Sequence, residues 1–198
     1  TITEGSSTNY NVPFCSYAGY GSAPRSSYSQ LLYTKAQITE ASGYDGRCLI
    51  KKIYFNYYGT DNQEMTFDLY MANTTKTSLT SYVNTNISRV VSNKTITFTP
   101  GWIEIALDND FLWDGTSNLM IAMHAKTDIN TNSNRKFYHS QVSNSVKYQY
   151  STNNLYDLQS NYTPSGTWSG GNTTNTLPNL KLCIAPYCEP PTFLFTTA

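Results

Sequence analysis

Met65-Thr66-Phe67-Asp68-Leu69-Tyr70-Met71 sets Met65, Phe67, Leu69 and Met71 against Thr66, Asp68 and Tyr70, one residue in and one out. Successive side chains of a strand point to opposite faces, so this spacing predicts a strand with one buried and one wet face. Trp102-Ile103-Glu104-Ile105-Ala106-Leu107 repeats the pattern, with Ile103, Ile105 and Leu107 inward and Trp102, Glu104 and Ala106 outward. Leu119, Ile121 and Met123 alternate with Met120, Ala122 and His124, and Leu180, Leu182 and Ile184 do the same near the end. Strands wet on one face are antiparallel sheet behaviour.

Working outward, further strands are expected at 48–58, 95–99, 136–140 and 146–150. Gly59-Thr60-Asp61-Asn62, Pro100-Gly101, Asp114-Gly115 and Gly170-Gly171 supply the turn chemistry between strands. One short helix is expected at 33–41, where Thr34 can cap and Ala36, Gln37 and Glu40 favour it. The expected fold class is all-β, an antiparallel β-sandwich of jelly-roll-like form. Residues 1–188 read as one domain. Cys188-Glu189-Pro190-Pro191 breaks strand pairing, and residues 189–198 read as a linker or the start of a following strand or domain.

Composition agrees. The polar residues are mostly Asn, Ser and Thr, joined by 17 Tyr, while Ala and Glu are scarce. A content of 14% aromatic residues argues against disorder. The 13 basic and 13 acidic residues balance, which gives no steering field toward nucleic acid or anionic lipid, so neither is an expected partner. No apolar run approaches the roughly 20 residues of a membrane helix, and no membrane insertion is expected. The chain opens at Thr1 with no visible signal peptide, which reads as a mature or excised segment.

The four cysteines are Cys15, Cys48, Cys183 and Cys188. With no CxxC and neither His124 nor His139 nearby in sequence, a zinc site is not expected. Disulfides of a secreted or cell-surface protein are the expectation. Proximity along the chain pairs Cys15 with Cys48 and Cys183 with Cys188. Free buried thiols are the alternative.

Four segments together resemble a known family. They are Glu4-Gly5-Ser6-Ser7-Thr8-Asn9-Tyr10-Asn11-Val12-Pro13; Ser29-Gln30-Leu31-Leu32-Tyr33-Thr34-Lys35-Ala36-Gln37-Ile38 with Ile50-Lys51-Lys52-Ile53-Tyr54-Phe55; Phe67-Asp68-Leu69-Tyr70-Met71 with Thr75-Lys76-Thr77-Ser78-Leu79; and Phe111-Leu112-Trp113-Asp114-Gly115-Thr116-Ser117-Asn118-Leu119-Met120-Ile121-Ala122. In order and spacing they resemble a recurrent domain of large surface proteins of Bacteroidetes bacteria, one that often stands next to fibronectin type III modules or a sorting signal. The resemblance implies a jelly-roll-like sandwich on an exported multidomain protein, with no catalytic residues to carry over. The four cysteines and the high Asn content depart from it.

Aromatics on the wet faces are the main binding signal. Tyr70 and Trp102 fall on the polar side of their strands, Tyr54 joins them if its strand faces that way, and Asp68 and Glu104 stand beside them. Such a set resembles a sugar platform, with rings stacking on C–H faces and carboxylates taking hydroxyl hydrogen bonds. It equally suits a host or surface protein, since exposed aromatics are favoured hot spots. The alternative is a crossing loop that covers these rings and makes a minor core. The tyrosine-rich region 137–168, with Phe137, Tyr138, Tyr148, Tyr150, Tyr156, Tyr162 and Trp168, reads as adaptable loops or as hairpins with tyrosine ladders.

Asp108, Asp110 and Asp114 offer oxygen ligands for a structural Ca²⁺, although no EF-hand spacing is present and the Asp114-Gly115 pair also reads as a plain turn. No other cofactor is expected. No Gly-x-Ser-x-Gly occurs. Asp68 and Glu104 as paired glycosidase carboxylates are a minor reading. Asn73, Asn86, Asn93, Asn161 and Asn172 sit in Asn-x-Ser/Thr, which matters only in a glycosylating cell. The expected function is therefore a non-catalytic adhesion or carbohydrate-binding module. The alternative is a structural spacer or fibre subunit self-assembling by strand exchange through Phe193-Leu194-Phe195.

Overall fold

The computed structural model describes residues 1–10, 13, 26–59, 64–125, 136–151 and 172–187. Its strands are β1 (Ser7–Tyr10), β2 (Ser26–Tyr33), β3 (Cys48–Tyr57), β4 (Glu64–Thr74), β5 (Ser88–Thr97), β6 (Gly101–Trp113), β7 (Asn118–Ala125), β8 (Phe137–Ser151), β9 (Asn172–Pro178) and β10 (Leu180–Pro186). One helix, α1 (Lys35–Ser42), follows β2. Thr34 caps it as expected. Its hydroxyl accepts the Gln37 N–H, and the Gln37 side chain accepts the Thr34 N–H, a reciprocal capping box. Gly43, at φ 65°, ends the helix in the left-handed region.

Every strand pairing among the described residues is antiparallel, so the fold is all-β as the alternation requires. The strands run β10-β3-β8-β2-β7-β4-β5, with β6 on the other side of β3 and with β1 and β9 on β8. The expected two stacked sheets are two limbs of one curled sheet. Hydrogen bonding passes between the limbs where Tyr57 of β3 meets Phe137 of β8. At that seam Tyr57 stacks on Phe98 at 5.1 Å, and both pack on Phe137. Inside the curl one core joins Phe67, Leu69, Leu119 and Ile121 of one limb to Ile53, Phe55, Ile103 and Ile105 of the other. Burying side chains of this size stabilises by roughly 1.5–3 kcal/mol each.

Residues 2–5 are stitched to the far end of the chain. The Ile2 N–H donates to the Leu180 carbonyl at 2.7 Å, and the Thr3 hydroxyl donates to Pro178 at 3.2 Å. The Asn179 side chain brackets the Gly5 backbone, accepting its N–H at 3.1 Å and donating to its carbonyl at 2.8 Å. A Cβ on Gly5 would stand 2.0 Å from the His139 carbonyl oxygen, so only glycine fits there.

One wet face proves dry. On β2, β4 and β7 the side opposite the main core carries Tyr28, Leu32, Tyr70, Ala72, Met120 and Ala122, all buried. Residues 75–87 cross over it and press Leu79, Val83, Ile87 and the half-buried Tyr82 onto it. Gln30 pins this crossing. Its amide donates to the Val83 carbonyl at 2.7 Å and accepts the Val83 N–H at 2.7 Å.

Among the described residues no disulfide is found. Cys48 and Cys183 are both free thiols. Cys48 lies in the core opposite Trp113, where burial pushes its thiol pKa up, and Cys183 stands exposed on the other face beside Lys52. Facing opposite ways, these two cannot reach each other. Cys15 and Cys188 lie outside the described residues.

Candidate functional site

Among the described residues, no segment crosses the outer face of β10, β3 and β6 as residues 75–87 cross that of β4 and β7. Register places Lys181, Tyr54 and Glu104 in one row across the three strands, Cys183, Lys52 and Ala106 in the next, and Asn56 beside Trp102. Alternation sends Ile53, Phe55, Ile103 and Ile105 inward, which turns these neighbours out. Of the expected binding residues, Tyr54, Trp102 and Glu104 are thus brought together.

Glu104 is the hub. It accepts from Lys52 Nζ at 2.8 Å on one oxygen and from the Tyr54 hydroxyl at 2.9 Å on the other. The Lys52 ammonium, and then the Tyr54 hydroxyl, hold the Glu104 carboxyl below its ordinary range. The same hydrogen bonds raise the Lys52 and Tyr54 pKa values. Lys181 reaches across β3 from β10, and its ammonium lies 3.9 Å from the centre of the Trp102 ring. A cleft of about 340 Å³ opens beside this pair, bordered by Glu4, Asn56, Trp102, Tyr138, Asn179 and Lys181. Tyr138 meets the exposed Tyr58 edge-on at 5.2 Å, so aromatic surface continues past the cleft.

Tyr70 and Asp68 do not join them, and the expectation that they face water is corrected. Tyr70 is 1% exposed beneath the crossing of residues 75–87. Asp68 is fully buried because the β5 bulge at Asn93, with φ 49°, turns its N–H onto the carboxylate at 2.6 Å. Asp68 and Glu104 therefore stand on different limbs, one buried and one exposed, and share no cleft.

The three aspartates expected to hold calcium are scattered in their bonding. Asp108 accepts the Ser92 N–H at 2.8 Å and pairs with Lys94 at 3.3 Å. Asp110 pairs with Lys51 at 3.3 Å. Asp114 accepts the Thr116 and Ser117 N–H groups and the Ser117 hydroxyl, at 2.8, 2.7 and 2.7 Å. Burial pushes the Asp114 pKa up, but these hydrogen bonds outweigh it and hold it below the ordinary value. Among the described residues no group of three or more His, Cys, Asp or Glu converges as a metal site.

His139 is buried with Nδ1 3.4 Å from the Phe137 carbonyl, and desolvation lowers its pKa. His124 is buried between β2 and β4, opposite Tyr28 and Asp68. In the tyrosine-rich region Phe137 is core and Tyr138 borders the cleft, while Tyr156, Tyr162 and Trp168 lie outside the described residues. Among the described residues no helix is long and apolar enough to cross a membrane. Sequence reasoning missed Lys52 and Lys181. Both were legible as outward positions, Lys181 between Leu180 and Leu182 and Lys52 one place before Ile53. Comparison of the chain with protein-family models, with curated proteins and with solved structures finds no match.

Proposed function

We propose that the chain is a non-catalytic carbohydrate-binding or adhesion module of an exported surface protein, with the open face of β10, β3 and β6 as its binding surface. The observation that supports this most is the half-exposed Trp102, which borders an open cleft with Tyr138 and Lys181 beside a hydrogen-bonded Lys52, Tyr54 and Glu104 group. A sugar ring stacks on the Trp102 face that Lys181 leaves uncovered, or displaces the lysine. Glu104, Tyr54 and Asn56 then offer acceptors and donors to its hydroxyls. The main core is built from the inward neighbours of these residues and does not include them.

The test is a glycan array followed by calorimetry on wild type and Trp102→Ala. A central aromatic anchor contributes about 2 kcal/mol or more, so the substitution is expected to weaken binding by tenfold or more. The urea midpoint should change little. A wild-type protein that binds no glycan overturns the reading, as does a Trp102→Ala variant that binds as well as wild type.

A further inference from the structure

A second cleft, of about 710 Å³, opens where the end of β4, the start of β5 and the far half of β6 meet. It shares no lining residue with the Trp102 cleft. Trp102 and Asp110 lie on one strand, at most roughly 28 Å apart. The walls are braced. Asn73 of β4 donates its amide to the Leu112 carbonyl at 3.0 Å and accepts the Asp114 N–H at 3.4 Å, which ties β4 to the turn after β6.

The charges lining it are unequal in their commitments. Asp110 is paired with Lys51, and the Asp114 carboxylate is filled by three donors of its own turn. Arg89 is exposed, and among the described residues its guanidinium makes no hydrogen bond or ion pair. Asn86 and Asn109, also exposed, present amides with no side-chain partner among the described residues. Asn86 sits at φ 55°, in the left-handed region that Asn tolerates.

We propose that this cleft binds a short acidic oligosaccharide, its carboxylate forked on Arg89 and its hydroxyls on Asn86, Asn109 and the neighbouring threonines and serines. A guanidinium is shaped for bidentate carboxylate binding. The volume lies within the range of small-ligand sites. Hydroxyls and amides dominate the wall, which suits a polyhydroxylated ligand better than a peptide needing apolar pockets.

The test is calorimetry on the full chain with trigalacturonate, neutral galactotriose and tri-glutamate, in wild type, Arg89→Gln, Arg89→Lys and Trp102→Ala. Trigalacturonate should bind wild type, and bind Arg89→Gln about tenfold or more weakly, because a charge-assisted pair is lost. Arg89→Lys should fall between them, galactotriose should bind at least tenfold more weakly than the acid, and Trp102→Ala should leave the acid's affinity unchanged. An unchanged urea midpoint for Arg89→Gln excludes misfolding as the cause. The proposal is overturned if galactotriose or tri-glutamate binds as tightly as trigalacturonate, if Arg89→Gln has no effect, or if no ligand binds at millimolar concentration. Failure of glycan binding at Trp102 alone leaves it standing, since the two clefts are separate.

Discussion

Tyr70 of β4 and Trp102 of β6 hold matching places in their strands, each an aromatic on the side away from the main core with a carboxylate two residues off. Tyr70 is sealed and Trp102 stays half-exposed. The difference comes from the connections. Between β4 and β5, residues 75–87 are long enough to fold back, and they bring Leu79, Val83 and Ile87 with them. Between β5 and β6 only residues 98–100 intervene; Phe98 turns into the seam, and the stretch is too short to fold back over the outer face. Strand alternation reports which face meets the main core. The fate of the other face is set by the length and apolar content of a loop elsewhere.

The largest effect should come from the sealed side. Tyr70→Ala removes a buried ring and is expected to cost about 3–5 kcal/mol in urea unfolding. Trp102→Ala should cost less than about 1 kcal/mol. Equal losses would erase the contrast between the faces. Gln30→Ala should cost about 2–3 kcal/mol, because it leaves the Val83 N–H and carbonyl without their side-chain partner. Hydrogen exchange at the Val83 amide should quicken with it, and an unchanged rate would mean the crossing is held by apolar contact alone.

Smaller effects sharpen the picture. Asp114→Ala should cost about 1–2 kcal/mol by freeing the turn donors. The Asp114 pKa is lowered on folding, so its stabilisation is present above the unfolded carboxylate value of about 3.9 and is lost as pH falls through the lower folded one. Wild type and Asp114→Asn should therefore converge in stability at strongly acidic pH. Glu104→Gln, on the open face, should leave the urea midpoint nearly unchanged, since exposed ion pairs contribute little. Its signature is a fall of the raised Lys52 and Tyr54 pKa values toward their ordinary ones, read by NMR titration.

Much of the fold was legible, and the misses have physical causes. β4, β6, β7 and β10 alternate cleanly and were found, and Thr34 with Gln37 announced α1. β2 was not found because Tyr28 through Tyr33 are buried on both sides, so no polar residue marks a wet face beyond Ser29 and Gln30. β8 read as two strands because residues 142–145 bulge out of the pairing with β9. At the site, Trp102 and Glu104 were legible from parity, whereas Tyr54 depended on the inward set of β3, which the pairing with β6 fixes. Asp68 and Tyr70 shared that parity and were misplaced, because the bulge at Asn93 and the crossing residues 75–87 leave no mark on β4 itself.

The stitching of Ile2, Thr3 and Gly5 to residues 178–180 also sets a clock. Thr3 and its partner Pro178 are 175 positions apart. At translation rates of about 5–20 residues per second, roughly 10–35 s separate the synthesis of the first from that of the second. The leading edge must wait that long for its mate, so the sheet can close only after nearly all of residues 1–180 have been made.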